Sequence, residues 1–237
     1  MPAESSSIFS VCYGDGKFVA VGRNGSAVYS ADAKIWTSGT GLPGDVDSWR
    51  SVCYGNGKFV AIAPAYAPGP PVSPTNAKVA YSIDGITWQE KTLPNDFKSA
   101  ESVCYGKGRF VIIGNGGSAA YSADGKIWSS GTGLPDQQWN SVCYGNGRFV
   151  AVSCHNTAIE QGAYSDDGIH WTPVKIPLGE WSNVCFGDGK FIAVRLDATT
   201  AAYSTNGIDW AEIDMPGDSG GWVNISYDLD SDIFGFL

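Results

Sequence analysis

The sequence predicts an all-β protein, specifically a β-propeller of four-stranded antiparallel blades. Three observations support this prediction. A segment of about 41 residues recurs along the chain. Each copy contains four short stretches of strand-forming residues separated by turn signals, which is typical of a propeller blade. No stretch has the 3.6-residue hydrophobic period of an amphipathic helix, which argues against helical repeat proteins.

The repeat is clearest at its first strand. Ser10-Val11-Cys12-Tyr13-Gly14 recurs at residues 51–55, 102–106 and 141–145, and residues 183–187 are a variant with Phe186 in place of tyrosine. The aligned cysteines are Cys12, Cys53, Cys104, Cys143 and Cys185, at spacings of 41, 51, 39 and 42 residues. A sixth, degenerate copy begins at residues 224–228, where Ser226 takes the cysteine position. The repeat therefore starts six times in the chain.

The second repeat shows the four elements in order. Ser51–Tyr54 predicts the first strand, and Gly55-Asn56-Gly57-Lys58 predicts a tight hairpin turn. Residues 59–62 predict the returning strand because they are rich in β-formers. After a variable loop, residues 79–82 form the third strand, Asp84-Gly85 the second turn, and residues 86–88 the fourth strand. Each repeat therefore predicts one blade.

The copies divide the chain into one propeller domain over residues 1–237. Their approximate bounds are 8–48, 49–99, 100–138, 139–180, 181–221 and a partial 222–237. We expect six blades with the last incomplete. The alternative is five blades with a C-terminal hairpin packed on a neighbour, and the chain could also be part of a longer array.

A second motif, Tyr-Ser-x-Asp-Gly-x-x-Trp, ends every complete repeat. It resembles the Asp-box of the bacterial-neuraminidase repeat, a family that includes sialidases, sortilin-like proteins and lectin-like or phage-tail propellers. The resemblance implies that the motif lies between the third and fourth strands. This chain departs from the family in having one residue fewer before the tryptophan, and in Ala33 and Asn206. The aspartate positions are Asp32, Asp84, Asp124, Asp167 and Asn206. We interpret them as a folding device that accepts turn amides, not as a metal site.

Composition limits the partners. Hydrophobic residues make up 43% of the 237 residues and charged residues only 16%, which favours a packed core over disorder. The net charge of −9 disfavours nucleic acid and anionic lipid. No apolar run reaches the 18 residues typical of a membrane span, and no secretory signal is visible at the start. We expect a cytoplasmic protein, with secretion by a route without a signal peptide left open.

The cysteines are expected to be free thiols. Five of them occupy one position in successive blades, where the separation between blades is too large for a disulfide. Reduced, buried thiols are typical of a reducing compartment. Cys154 lies outside this set, beside His155. A nucleophilic pair is conceivable there, but residues adjacent in sequence rarely form one.

One face of the propeller is the predicted ligand face. The turns after the first and third strands are nearly invariant, whereas the loops after the second and fourth strands vary: 63–78, 90–101, 153–162, 173–180 and 195–200. The candidate ligand-binding residues near these loops are Trp49, Arg50, Tyr66, Trp139, His155, Trp181, Arg195 and Trp222. The tryptophans could stack on sugars or pack between blades. The near-identical segments 38–43 and 130–135 could be repeated sites or only turns.

The basic residues divide between the two faces. Lys17, Lys58, Arg109, Arg148 and Lys190 fall in the first turn of each repeat, where solvation is the simplest interpretation. Arg23, Arg50 and Arg195 lie near the variable face. By resemblance, three arginines could form the carboxylate-binding triad of sialidases. However, the Phe-Arg-Ile-Pro segment of that family is absent, and no tyrosine–glutamate nucleophile pair can be named.

The sequence therefore favours a non-catalytic binding propeller, with no catalytic residue, metal or cofactor assigned. We expect carbohydrate recognition, in a lectin-like role, through the variable face. A protein-interaction propeller, including a phage-tail or injection-apparatus component, is the first alternative. A glycoside hydrolase or lyase is the second, since the fold does not fix the function.

Overall fold

The computed structural model describes residues 7–43, 48–65, 76–94, 97, 99–154, 160–195, 200–215, 225–228 and 233–236. Within these residues the protein is all-β, with five four-stranded antiparallel sheets and one two-stranded sheet. The protein is a β-propeller, as the sequence predicts. In the part that the structure describes, no helix is long and apolar enough to cross a membrane.

Strands follow one another in chain order within every sheet. Blade 1 contains β1 (Ile8–Gly14), β2 (Lys17–Gly22), β3 (Ala27–Ser30) and β4 (Thr37–Ser38). Blade 2 contains β5 (Ser51–Gly55), β6 (Lys58–Ala63), β7 (Lys78–Ser82) and β8 (Gln89–Lys91). Blade 3 contains β9 (Ser102–Gly106), β10 (Arg109–Gly114), β11 (Ser118–Ser122) and β12 (Ser129–Ser130).

The last two complete blades have the same plan. Blade 4 contains β13 (Trp139–Gly145), β14 (Arg148–Ser153), β15 (Gly162–Ser165) and β16 (Thr172–Val174). Blade 5 contains β17 (Trp181–Gly187), β18 (Lys190–Arg195), β19 (Thr200–Ser204) and β20 (Ala211–Asp214). The two-stranded sheet, hereafter the C-terminal hairpin, contains β21 (Ile225–Asp228) and β22 (Ile233–Phe236).

The core lies between consecutive blades. At the first interface, Val19 and Val21 of blade 1 form one buried cluster with Val52, Phe59 and Trp88 of blade 2. Equivalent clusters join blade 2 to blade 3, blade 3 to blade 4, and blade 4 to blade 5. Each sheet therefore buries both of its faces only when a blade stands on either side, which is why the repeats fold together.

A tyrosine–glycine contact repeats at every interface. The Tyr54 ring of blade 2 lies directly over Gly14 of blade 1, so close that a Cβ at Gly14 would collide with the ring. The same contact recurs as Tyr105 on Gly55, Tyr144 on Gly106, Phe186 on Gly145 and Tyr227 on Gly187. Because Tyr227 belongs to the C-terminal hairpin, this hairpin occupies the sixth position, as an incomplete sixth blade.

A hydrogen bond between inner strands also repeats. Ser10 Oγ of blade 1 accepts a hydrogen bond from the backbone N–H of Val52 in blade 2, with an N–O distance of 3.1 Å. The other pairs are Ser51 with Val103, Ser102 with Val142 and Ser141 with Val184, at 3.1–3.3 Å. The serine of each Ser-Val-Cys-Tyr segment therefore satisfies an amide of the next blade that the sheet does not pair.

The turn between the third and fourth strands, hereafter the 3–4 turn, is closed by its acidic residue. In blade 2, Asp84 Oδ1 accepts the backbone N–H groups of Ile86 and Thr87, both at 2.8 Å, and the Ser82 hydroxyl at 2.8 Å. Asn206 makes the same two backbone contacts in blade 5 at 2.9 Å. The equivalent hydrogen bonds in blades 1 and 3 hold the pKa of the Asp32 and Asp124 carboxyls below the usual range. The geometry agrees with a folding role.

The repeated segments 38–43 and 130–135 clamp neighbouring blades together. Thr40 forms a parallel bridge with Thr87 of the next blade, and its backbone N–H donates to the Ile86 carbonyl at 2.8 Å. Thr132 forms the equivalent bridge with His170. Both segments therefore have a structural role at the interfaces between blades 1 and 2 and between blades 3 and 4.

One basic residue of the first turns, Arg148, is more than a solvated side chain, which corrects the sequence-based interpretation at that position. Arg148 Nε contacts Asp166 Oδ1 at 2.8 Å, and its guanidinium lies 4.5 Å from the centroid of the Tyr164 ring. Its Nη1 donates to the carbonyl of Asn206 in the next blade at 2.5 Å. These turns and the 3–4 turns therefore share one face and bind consecutive blades to each other there.

Candidate binding site

Three predicted ligand platforms are packed inside the protein. Trp49, Trp139 and Trp181 are fully buried, with no exposed side-chain area. Their indole N–H groups donate to the backbone carbonyls of Pro43, Pro135 and Pro177 at 2.9–3.1 Å. A ring with no exposed surface cannot stack on a sugar, so the structure corrects their assignment as ligand-binding residues. They pack between blades instead.

Arg195 has a structural role as well, which corrects its assignment to the ligand site. Its side chain is only 12% exposed. Its Nη1 donates to the carbonyl of Leu178 at 2.6 Å and its Nη2 to Glu212 Oε1 at 2.5 Å. The guanidinium also lies over the Trp181 ring at 5.2 Å. With these partners, Arg195 is not available for the arginine triad that the sialidase resemblance implies.

Three other candidates, Tyr66, His155 and Trp222, lie outside the described residues. Their assignment to a ligand site stays a prediction.

Arg50 is the predicted candidate that the structure places in a cleft. The cleft has a volume of about 240 Å³ and lies between the inner strands of blades 2 and 3 on the variable face. It is lined by Ser48, Arg50, Pro64, Ala65, Ser99, Glu101 and Asn115. Polar side chains therefore dominate the lining that the described residues form, and none of those lining residues is aromatic.

A buried carboxylate holds Arg50 in place. Arg50 Nη1 lies 2.7 Å from Glu101 Oε2; the Arg50 side chain is 53% exposed, whereas that of Glu101 is 9% exposed. Glu101 Oε1 accepts two further hydrogen bonds, from Ser99 Oγ at 2.7 Å and from Asn115 Nδ2 at 3.2 Å. Each backbone N–H is also tied to its own sheet, that of Arg50 to Ile62 and that of Glu101 to Ile113. The cleft is therefore rigid at its base.

The hydrogen bonds of this cleft leave part of the Arg50 guanidinium without a partner among the described residues. Glu101 accepts hydrogen bonds from Arg50, Ser99 and Asn115, and these contacts fix the orientation of the Arg50 guanidinium. Among the described residues, only the Nη1 atom of Arg50 has a hydrogen-bond partner, so Nε and Nη2 can donate to a ligand. In that part of the chain, no three histidine, cysteine or acidic side chains are grouped closely enough to hold a metal ion.

The polar surface continues toward blade 4. Asn140 Nδ2 donates to the carbonyl of Trp181 at 3.2 Å. The Cys154 thiol contacts Gln138 Oε1 at 3.5 Å. Burial raises the pKa of this thiol, and the negative charges of Glu180 and Glu101 contribute to the same direction. The variable face therefore carries an arc of polar side chains above the inner strands.

Glu101, Ser99 and Asn115 are missing from the residues that the sequence singles out. One signal could have found Glu101, because it occupies the position of Arg50 in the repeat, three residues before the aligned cysteine. That position holds Phe9, Arg50, Glu101, Asn140 and Ser182 in successive blades. A position that changes chemical class in every blade, within an otherwise uniform strand, is a candidate for a function specific to each blade.

Known structures share the fold. YCF48 bound to a D1 peptide is 19% identical over 95% of this chain and 73% of that chain, with a TM-score of 0.69. A catalytically inactive virginiamycin B lyase from Staphylococcus aureus, solved with quinupristin, is 13% identical over 95% and 75%, with a TM-score of 0.77. A GH74 enzyme from Niastella koreensis is 16% identical over 88% and 30%, with a TM-score of 0.61. No protein-family model matches the chain, and no match to a curated protein was found.

Proposed function

We propose that this protein is a non-catalytic binding propeller that holds a polypeptide segment of another protein on its variable face. The observation that carries the proposal is the cleft at Arg50. A buried, fully bonded Glu101 fixes one nitrogen of the guanidinium, while more than half of the Arg50 side chain faces solvent. A guanidinium fixed in this way has a low entropic cost of binding, because its orientation is set before the ligand arrives.

The chemistry of the cleft suits a peptide. The hydroxyls of Ser48 and Ser99, the Asn115 amide and the free donors of Arg50 lie around a volume of about 240 Å³, enough for one or two residues of an extended chain. These groups can hydrogen-bond to backbone carbonyls and to polar side chains. One neighbour in fold, YCF48, has been solved with a bound peptide, which supports a protein partner here.

Carbohydrate binding is the second candidate. Hydroxyl, amide, carboxylate and guanidinium groups such as those around Arg50 also hydrogen-bond to sugar hydroxyls. Two observations make it secondary: the described residues that line the cleft include no aromatic ring, and three tryptophans of the same face are buried. A relation to Asp-box propellers, suggested by the 3–4 turns, is compatible with either ligand and forms part of the proposal.

Selection from a displayed library of random peptides, in parallel with a glycan array, tests the proposal. We expect enriched peptides that bind the native protein and lose at least tenfold in affinity with Arg50→Ala, the loss of roughly 1.4 kcal/mol of binding free energy. Arg109→Ala, on the opposite face, is the matched control and should bind as the native protein does. Peptides whose affinity is unaffected by Arg50→Ala would place the site elsewhere. Glycan hits without peptide hits would establish the lectin-like alternative.

A further inference from the structure

One sheet face of the propeller has no blade against it in the described part of the chain. Phe9, Val11 and Tyr13 on β1 are 45%, 56% and 60% exposed. The valines equivalent to Val11 in the next four blades are only 3–5% exposed, because each is covered by the preceding blade. In blades 2–5, this apolar face of the first strand is covered by the preceding blade. Blade 1 has the same apolar face, and there it is exposed.

The other interfaces define what fits this surface. In each of them the covering element is the first hairpin of the preceding blade, which contributes valines of its second strand, such as Val19 beneath blade 2. In the ring order, the element that precedes blade 1 is the C-terminal hairpin. This hairpin already stands in the sixth position, because Tyr227 lies on Gly187 of blade 5.

The sizes of two facing residues relate this hairpin to blade 1. In the other interfaces these two positions hold a glycine and a valine. In blades 2–5, a Cβ on the glycine of the 3–4 turn would come within 2.6–3.0 Å of a valine methyl of the preceding blade. The pairs are Gly85 with Val19, Gly125 with Val60, Gly168 with Val111 and Gly207 with Val150. A Cβ in these turns would therefore be crowded by the valine that faces it.

Blade 1 and the C-terminal hairpin both depart from this pattern. Blade 1 has a residue larger than glycine in its 3–4 turn, and the hairpin has a residue smaller than valine at the position that would face it. Ala33 replaces the turn glycine and keeps its left-handed conformation, with φ of 58°. In β21–β22, Ser226 pairs with Gly235 as Cys12 pairs with Val19 in blade 1, so Gly235 occupies the valine position. The added methyl of Ala33 is thus matched by the removal of the valine side chain on the element that would face it.

We infer that the uncovered face of blade 1 is an interaction surface for the C-terminal hairpin of the same chain, which closes the ring by placing Gly235 against Ala33. The seam between the C-terminal hairpin and blade 1 is open among the described residues, because a Cβ on Gly235 would come within 4 Å of Ser226 of its own hairpin and of no described atom of blade 1. Asp228 stands where the other blades have the glycine that receives a tyrosine ring. The ring of Tyr13 therefore meets no glycine at this seam, unlike the aromatic rings of the other interfaces.

A double-mutant cycle in the full chain tests this inference. Gly235→Val restores the valine of the other interfaces and should collide with Ala33 when the seam closes. Ala33→Gly should relieve the collision. We expect the melting temperature of Gly235→Val to fall by roughly 2–4 °C for each kcal/mol lost, and to recover when Ala33→Gly is added. The control cycle uses Val111→Gly and Gly168→Ala, which recreate the seam pair at an interface that is closed.

The outcomes separate the possible occupants of the surface. Non-additive changes at residues 33 and 235 in a monomer support closure by the same chain. Additive changes beside a coupled control cycle would overturn it, and coupling that appears only in a dimer would assign the surface to a second copy.

If Gly235→Val does not fold, the pair Ala33→Cys and Gly235→Cys in a Cys154→Ser background replaces it. An intramolecular disulfide between residues 33 and 235 supports closure. The control pair is Val111→Cys with Gly168→Cys. If the control pair forms a disulfide and the pair at residues 33 and 235 does not, closure is overturned.

Discussion

At the scale of single residues, equivalent positions in the five blades follow two different rules. The aligned cysteines keep the same residue and the same environment. Burial raises the pKa of Cys12 to about 12 and that of Cys185 to about 11, and it raises the pKa values of Cys53, Cys104 and Cys143 further. Three residues earlier, the chemistry changes in every blade and builds the cleft at Arg50. Packing fixes the first position, whereas the second is free to acquire a function.

The thiols provide a test at this scale. A raised pKa leaves less reactive thiolate near neutral pH, so the five aligned cysteines should react slowly with a maleimide at about pH 8. Cys154 lies at the edge of the variable face and is the most accessible of the six. We therefore expect one fast thiol in the native protein and six after denaturation, measured by mass spectrometry. The rate of the fast thiol should rise with pH, because its pKa is also raised.

Cys154→Ser is the control for this measurement and should remove the fast phase alone. Two or fewer thiols in the denatured, non-reduced protein would contradict the assignment of free cysteines and, with it, the expectation of a reducing compartment.

The residues of the cleft show how far the sequence leads. Arg50 can be singled out because it is one of few arginines outside the repeated turns. Glu101 could have been found only by comparing the repeat position that it shares with Arg50. Ser99 and Asn115 could not, because polar residues in loops have no periodicity and their convergence depends on the distance between two blades. The burial of Trp49 is equally hidden, since a tryptophan at the start of an inner strand suits either packing or stacking.

At the scale of the blade, the repeated pentapeptide is a set of contacts between neighbours. Its serine accepts an amide of the next blade, its tyrosine lies on the glycine of the preceding blade, and its glycine receives the next tyrosine. The first three strands of each blade, the strand order and the turns were accessible from the sequence because each has a local signal. The fourth strand was placed wrongly: it was predicted at residues 86–88 but lies at Gln89–Lys91, after the tryptophan, because Asp84 holds the backbone of Ile86 and Thr87 in the turn. The contacts between blades were not accessible from the sequence, because they join residues about 40 positions apart.

Gly106 and Tyr144 test the contact between blades. Gly106 does not have a positive φ, so alanine is allowed by the backbone, but a Cβ there would collide with the Tyr144 ring. We expect Gly106→Ala to destabilise the protein by about 1–3 kcal/mol, as is typical of overpacking. Urea denaturation followed by tryptophan fluorescence measures the loss.

The same substitution in a Tyr144→Ala background is its control. With the ring removed, Gly106→Ala should cost nothing or stabilise slightly, because alanine has less conformational entropy to lose than glycine. An equal loss in both backgrounds would show that the cost comes from the strand itself and not from the contact between blades 3 and 4.

At the scale of the whole molecule, stability accumulates from one interface to the next, and the ends of the array decide whether the ring holds. Blade 5 turns Ile192, Val194 and Ala201 toward the C-terminal hairpin, where Ile225 completes their cluster. The prediction of a sixth, incomplete blade followed from the repeat, because Tyr227 keeps the tyrosine position. What the repeat could not show is the open face of blade 1, since an uncovered sheet has the same local sequence as a covered one.

Deletion of residues 222–237 tests the role of the hairpin in the ring. The truncation removes Ile225 and Tyr227, and with them the cover of Ile192 and Val194 on blade 5. An uncovered apolar sheet face promotes association. We expect the truncated protein to aggregate or to lose cooperative unfolding, followed by size-exclusion chromatography and differential scanning calorimetry. Tyr227→Ala, which keeps the hairpin and removes the ring that lies on Gly187, should lower the melting temperature without aggregation. A truncated protein that stays monomeric with an unchanged melting temperature would mean that five blades form a self-sufficient unit and that the hairpin contributes nothing to it.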